Sequence, residues 1–466
     1  MAVGYRVECT GRGSFEFPPL ILMAGERMQD DLETAARRIG KAMHARLSMP
    51  PVYHWCSWYY CYHNFDLPQL SEYLDGLTGM APKIPIRYIQ IDAGYFPSAG
   101  DWLEPNPRFP HGLEEAFRMI RDAGYLPGIW IAPYMVGNRS RLYREHPDWI
   151  LYDVNDRPVR GVISDNEPKP WGYQDEEYYI LDTSHPDAMN YLKHVFETFY
   201  AWGARLFKTD FMVWGLQDST AVKRHTPGKT SVEYFRDFLK MVRSVIGDES
   251  YWLGCIAPFM PFIGYADGMR IGNDVGSSWN GDFGPKNMIR CLTGNNFANH
   301  NFYQTDPDAV MLRDFHIRLT GTEVRSLALL AGLSGGCIYT SDPLHLIAKD
   351  RADLFRYIRP DRRRKPYLPY LQQKRDDLVM VYPKEEKGRG LLFLFNTGEG
   401  TVTNRYSLKD LGFSKADSVT DMESEKREET LHGEFTVTLE KHESRLCLVS
   451  EEKNPAIDHE NLWKNL

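Results

Sequence analysis

Between about residue 50 and residue 345, short apolar segments alternate with amphipathic helical ones, and few folds accept that pattern. Tyr53–Trp58, Ile86–Asp92, Gly128–Ala132 and Leu206–Asp210 read as strands, followed by Trp252–Gly254, Met269–Ile271, Asn299–Phe302 and Cys337–Thr340. Helical periodicity separates them. Leu113, Ala116, Phe117 and Ile120 fall at i, i+3, i+4 and i+7, and Gly124 supplies a stop. Ala188, Tyr191, Leu192, Val195 and Phe199 share one face of a helix that starts at Pro186. Phe235, Phe238, Leu239 and Val242 do the same over 231–246, and a further helix is predicted over 321–331. Alternating strands and helices imply a parallel sheet with right-handed crossovers. Eight such units within residues 49–372 fit a closed α/β barrel, the (β/α)8 or TIM barrel, better than an open doubly wound sheet.

The flanks differ. Residues 1–48 read as a short N-terminal extension, a β-like lead followed by a helix around Asp31–Ala45. Within the barrel unit, residues 134–178 are polar and lack a strong period, so a long loop covering one end is predicted. Beyond residue 372 the alternation stops. Leu378–Tyr382, Gly390–Phe395, Phe435–Leu439 and Arg445–Val449 read as strands divided by turn residues, which makes residues 373–450 a small C-terminal antiparallel β-sandwich. Residues 451–466 form a polar tail, with Trp463 a candidate for docking back.

Composition excludes several functions. A net charge of −8 offers no basic face for a nucleic-acid partner. No run of about 18 apolar residues exists, so no membrane span is expected, and no signal peptide is visible. The seven cysteines are scattered without metal spacing, which points to a reducing, cytoplasmic compartment. No zinc-protease, P-loop or dinucleotide fingerprint stands in a suitable context.

Functional groups of a (β/α)8 barrel gather at the C-terminal ends of its strands. Asp92, Asp210 and Asp274 fall there. Paired carboxyl groups suit glycoside hydrolysis, one as nucleophile and one as acid/base. Lys208, two residues before Asp210, shares its strand face and would help keep that carboxyl ionised. Asp274 sits among Gly272, Asn273, Val275 and Gly276, a setting that allows a carboxyl to hold a proton, and Arg270 could orient substrate or carboxylates. His54 and His185 read as structural, Asp182 as a cap or turn residue, and Asp306 with Asp308 as a turn or a subsite.

Several stretches carry a more specific resemblance: Trp55-Cys-Ser-Trp58, Ile89-Gln-Ile-Asp-Ala-Gly-Tyr95, Gly100-Asp-Trp102, Arg108-Phe-Pro-His-Gly112 and Pro127-Gly-Ile-Trp-Ile-Ala-Pro133. His146-Pro-Asp-Trp149, Lys208-Thr-Asp210, Arg270-Ile-Gly-Asn-Asp-Val275, Asp306-Pro-Asp308 and Ser334-Gly-Gly336 through Ser341-Asp342 extend it. In order and spacing the chain resembles the family 36 α-galactosidases of the melibiase clan from about residue 50 to the end of the barrel. The resemblance implies a retaining α-glycosidase without cofactor or metal, acting on an oligosaccharide or small α-glycoside. It implies Asp210 as nucleophile and Asp274 as acid/base, with Lys208, Arg270, Asp92, Trp58 and Trp130 lining the sugar pocket. The chain departs from the family pattern in two places. Most relatives carry paired aspartates at the end of strand two, where this chain has Ala93, which bears on galactose specificity. Relatives usually carry a large N-terminal β-domain, where 48 residues precede the barrel here, so the oligomeric state stays open, a homo-oligomer included. Three alternatives remain: a raffinose-synthase-like galactosyl transferase, a hydrolase of another α-glycoside such as an α-N-acetylgalactosaminide, and a sugar-binding barrel without catalysis.

Overall fold

The fold is seen in a computed structural model that describes residues 23–80, 85–163, 177–358, 365–382, 389–413, 418–452 and 454–459. The β-like lead, Cys9 and Trp463 lie outside them. Eight parallel strands form the central sheet: β1 (Tyr53–Cys56), β2 (Tyr88–Ile91), β3 (Leu126–Ile131), β4 (Leu206–Thr209), β5 (Tyr251–Gly254), β6 (Gly268–Arg270), β7 (Gln304–Asp306) and β8 (Ile338–Thr340). Their spatial order runs from β7 back to β1 and then β8. The seam between β7 and β8 is bridged by Cys337 N–H donating to the Thr305 carbonyl at 3.0 Å and by a parallel bridge from Ala309 to Tyr339. Gly336 permits that approach, because a Cβ there would lie 2.0 Å from the Thr305 oxygen. The chain is therefore a nearly closed (β/α)8 barrel.

Local chemistry sets the helix boundaries. Thr230 and Glu233 form a capping box at the start of helix Ser231–Ile246, and Thr320 with Glu323 do so for helix Gly321–Ser334. Helix Pro186–Trp202 begins on His185, whose Nδ1 accepts the Asp187 N–H, and ends at Gly203 with φ of 111°. Large apolar side chains on these inner helix faces, Phe196, Phe199, Phe235 and Phe238 among them, are fully buried against the sheet. The structural roles expected for His185 and His54 agree with the geometry. His54 is buried, stacked on Tyr339 at 4.7 Å, and burial lowers its pKa to about 3.

Several elements differ from expectation. The seventh strand is Gln304–Asp306 rather than Asn299–Phe302, which instead forms the turn leading into it. The cause is polarity: β7 reads Gln-Thr-Asp, and Gln304 is buried by hydrogen bonds to the Met49 and Pro50 carbonyls rather than by apolar packing. The stretch 134–178 contains an antiparallel three-stranded sheet of Met135–Gly137, Glu177–Ile180 and Arg160–Ile163, with residues 164–176 outside the described set. Its strands are too short to display a period. Helices Leu67–Thr78 and Pro285–Gly294 also stand where the sequence reading placed none.

The C-terminal region has two antiparallel sheets. Five strands pair in the order Asp377–Tyr382, Arg389–Asn396, Ser444–Ser450, Ser418–Asp421 and Arg427–Glu428, and two more, Val402–Ser407 and Glu434–Leu439, pair separately. Strand alternation gives the larger sheet two apolar faces. Leu392, Leu394 and Val449 face Tyr406 and Val437 of the smaller sheet, while Leu391, Phe393, Phe395 and Leu448 join the barrel core.

Candidate active site

Each candidate carboxylate is placed by the residue where a strand ends. β2 ends at Ile91, and Asp92 follows with 3% of its surface exposed. Its Oδ2 accepts from Lys208 Nζ at 3.0 Å, Gln90 Nε2 at 2.8 Å and Cys56 Sγ at 3.3 Å. Its Oδ1 accepts the Ala93 N–H at 2.9 Å. Burial is the largest single influence on Lys208 and works against its charge, but the Asp92 carboxylate together with Cys56 and Cys255 raises the ammonium pKa well above its ordinary value.

β4 ends at Thr209, and Asp210 follows. Its backbone N–H bonds the Ile131 carbonyl at 2.9 Å, which anchors it across to β3. Trp130 Nε1 donates to Oδ2 at 3.0 Å and the Phe211 N–H to Oδ1 at 2.7 Å. Phe211 adopts a left-handed φ of 53°, turning the chain sharply after the carboxylate. The expected neighbour Lys208 bonds Asp92 rather than Asp210. Its charge still draws the Asp210 pKa down, but burial is the larger influence and the carboxyl sits above its usual range. The Asp274 charge pushes it the same way, so the two carboxylates act on each other across the site.

Asp274 is held differently. It lies four residues past the end of β6 on an irregular segment, and its side chain is 54% exposed. Arg270 Nη1 meets its Oδ1 at 3.0 Å. That guanidinium is buried and also pairs through Nε with Asp306 at 3.1 Å and through Nη2 with Asp308 at 2.8 Å and Tyr339. Asp306 and Asp308 are thus more than a turn. Asp308 accepts from Tyr59, Tyr339 and the Val275 N–H, the last at 2.6 Å, and burial lifts its carboxyl to about 6.

The remaining expected residues fall around these groups. Trp130 is almost fully buried, stacked on Phe96 at 6.1 Å, so its indole N–H rather than its face reaches the site. Trp58 is half-buried, edge-on to Tyr62 and His63. Asp182 accepts the Ser184 and His225 N–H groups and pairs with Arg224, as a turn residue does. The sequence reading passed over Cys255, the residue next after β5, which is buried with the charges of Asp210 and Arg270 acting on it. The strand-end rule that singled out Asp210 also marks this position. Tyr59, in the short helix Trp58–Cys61, and Tyr339, inside β8, had no such signal, because a tyrosine in an apolar run looks like core. Among the described residues no cluster of histidine, cysteine, aspartate and glutamate could hold a metal ion.

The arrangement thus sets carboxylates around buried cations beyond the strand ends of a (β/α)8 barrel. Residues 37–204 match the family described as Melibiase. An α-galactosidase of Geobacillus stearothermophilus is 27% identical over 143 residues, 29% of this chain and 17% of that protein. An A type blood α-D-galactosamine galactosaminidase of Flavonifractor plautii is 27% identical over 169 residues, 35% of this chain and 15% of that protein. The matches thus span less than a fifth of those relatives. The α-galactosidase of Thermus thermophilus in complex with stachyose aligns with a TM-score of 0.60 and 29% identity, covering 70% of this chain and 69% of that one. A GH27 β-L-arabinopyranosidase of Geobacillus stearothermophilus shares the fold, with a TM-score of 0.66 at 17% identity over 89% of this chain and 99% of that one. Families 27 and 36 of the clan are not separated by these likenesses. The family match ends before Lys208, Asp210, Arg270 and Asp274, so the roles of those residues rest on geometry.

Proposed function

We propose that this chain is a glycoside hydrolase that releases a terminal α-linked, galactose-like sugar with retention. The observation that carries the reading is that Asp210 and Asp274 stand beyond the ends of β4 and β6, Asp210 held by Trp130 and Asp274 by Arg270, beside the buried Lys208–Asp92 pair. In this reading an Asp210 oxygen attacks the anomeric carbon while Asp274 gives its proton to the departing oxygen, and a glycosyl ester forms on Asp210. Asp274 then takes a proton from water, which attacks the same carbon and returns Asp210 as carboxylate. The Trp130 N–H and Phe211 N–H hold the Asp210 oxygens for attack. Lys208, Asp92 and Arg270 supply charged groups for the sugar hydroxyls, with Trp58 at the rim. The substrate is an oligosaccharide or small α-glycoside, the class to which the stachyose and p-nitrophenyl α-D-galactopyranoside bound by the Thermus enzyme belong.

A second reading shifts the sugar and keeps the chemistry. Ala93 leaves one carboxylate at the end of β2, and its N–H occupies an Asp92 oxygen. That change, with the galactosaminidase among the relatives, favours an α-galactosaminide as the alternative substrate. We divide the chain into 1–48, the barrel 49–372, the sandwich 373–450 and the tail 451–466 on the element order. The six described cysteines are free thiols and five are buried, which supports a reducing, cytoplasmic setting.

The test is a panel of p-nitrophenyl α- and β-glycosides, with Asp210→Asn as control. Release from the α-galactoside that falls by on the order of 10⁴-fold in the variant is the expected outcome, the scale of removing one member of a catalytic unit. Variant-sensitive release from an α-galactosaminide alone moves the assignment to the second reading. Release from β-glycosides alone, or activity unchanged by Asp210→Asn, defeats both.

A further inference from the structure

The segment that carries Asp274 runs from Ile271 to Gly284, between β6 and helix Pro285–Gly294, and has no regular secondary structure of its own. Its near end is tied to the barrel by Ile271 N–H to the Asp306 carbonyl and Val275 N–H to Asp308. Arg318 N–H donates to the Ser277 carbonyl at 2.8 Å. Its middle is tied to something else. Trp279 is 4% exposed, and its ring stacks on His442 at 3.6 Å between centroids with 24° between planes. Phe395 packs edge-on against the same indole at 6.2 Å. Both partners belong to the C-terminal sheets: Phe395 from strand Arg389–Asn396, His442 from the turn between Glu434–Leu439 and Ser444–Ser450.

His442 is itself immobilised from several sides. Its Nδ1 meets Glu323 at 2.6 Å, on the capping turn of barrel helix Gly321–Ser334. Its carbonyl accepts from Ser326 Oγ at 2.9 Å. Glu399, close to its Nε2, pairs with Lys441 at 2.7 Å and with Lys286, just beyond the far end of the Asp274 segment. The Trp279 indole N–H has no hydrogen-bond partner among the described residues, although buried tryptophans usually find one. Its ring contacts therefore account for its place.

We propose that Trp279 is a positioning residue for Asp274, clamped by His442 and Phe395, so that the C-terminal sheets act in the proton-transfer step. The inference rests on Asp274 being the acid/base. An exposed carboxylate on an irregular segment needs an external anchor, since a displacement of about 1 Å costs on the order of 10²-fold in rate. A barrel strand end supplies that anchor for Asp210. The Trp279–His442 stack supplies it for Asp274.

The experiment uses the full chain with two substrates, p-nitrophenyl α-galactoside and methyl α-galactoside. The nitrophenolate leaves without a proton, and the alkoxide does not. Trp279→Ala and His442→Ala are expected to lower kcat/KM on the methyl glycoside by ~10²-fold, against a few-fold on the nitrophenyl one. Trp279→Phe, which keeps a ring to stack, should recover most of the loss. Asp274→Ala is run alongside. If it shows the leaving-group dependence and Trp279→Ala does not, the positioning role is overturned and the acid/base assignment stands. Equal losses on both substrates in Trp279→Ala, unrelieved by Trp279→Phe, make Trp279 a structural residue and overturn the proposal too. If Asp274→Ala lacks the dependence, the acid/base assignment fails and takes the proposal with it.

Discussion

The two halves of the candidate site are built in opposite ways. The Asp210 half is rooted in regular strands: β2 and β4 deliver Asp92, Lys208 and Asp210 within a residue of their ends, and all three are buried. The Asp274 half hangs on an irregular segment four residues past β6, with the carboxylate in solvent and its supports arriving from β7, β8 and the C-terminal sheets. The difference suits the two jobs we propose for Asp210 and Asp274. A nucleophile must meet one carbon at one distance, and a strand end is stiff. An acid/base must exchange protons with leaving group and water, which asks for access. Rigidity in the first half comes from the backbone ladder, and in the second from side-chain contacts made at a distance.

Three measurements would break or sharpen that contrast. The largest effect is expected from Asp274→Ala, which should lower kcat on a substrate with a poor leaving group by about 10²–10⁴-fold, the usual worth of a general acid, while barely moving thermal stability. A drop in melting temperature comparable to that of a core substitution would show the exposed half to be structural. Next comes Lys208→Met, which leaves Asp92 charged and buried beside Gln90 and Cys56. Breaking one partner from a buried pair costs about 3–5 kcal/mol, so denaturant unfolding should register a loss of that order. A neutral result would contradict the rigid half. The smallest effect concerns Asp308. Its carboxyl is raised to about 6 from an ordinary 3.8, so its favourable contribution is complete below the unfolded value and is lost as pH rises through about 6. Asp308→Asn should therefore gain melting temperature relative to the parent chain between pH 4 and pH 7. A difference independent of pH would remove the buried titration from the supports of Asp274.

Legibility followed the same division. Asp92, Lys208 and Asp210 could be read because an apolar run that stops in a charge has one meaning in a βα chain. Arg270 and Asp274 were visible as a pair, but their dependence on Asp306, Asp308 and Tyr339 was not, because those residues come from two other strands. β7 was misplaced by four to five residues because its buried groups are polar, and burial by hydrogen bonds leaves no hydropathy signal. The strands Val402–Ser407 and Ser418–Asp421 were invisible for a related reason, since the first is largely polar and the second only four residues long.

The order of residues alone pointed to the barrel, since eight alternating strand and helix units fit a closed barrel better than an open sheet, and it marked which carboxylates stand at strand ends. Tertiary structure decided who pairs with whom. Lys208 lies two residues from Asp210 in the chain yet bonds Asp92, 116 residues away, because β2 and β4, the strands on either side of β3, bring their ends to a common layer of the barrel. Likewise Trp279 meets His442 across 163 positions only once the C-terminal sheet has docked on the barrel. Charge and stacking act through space over a few ångströms, and chain separation carries no record of that distance.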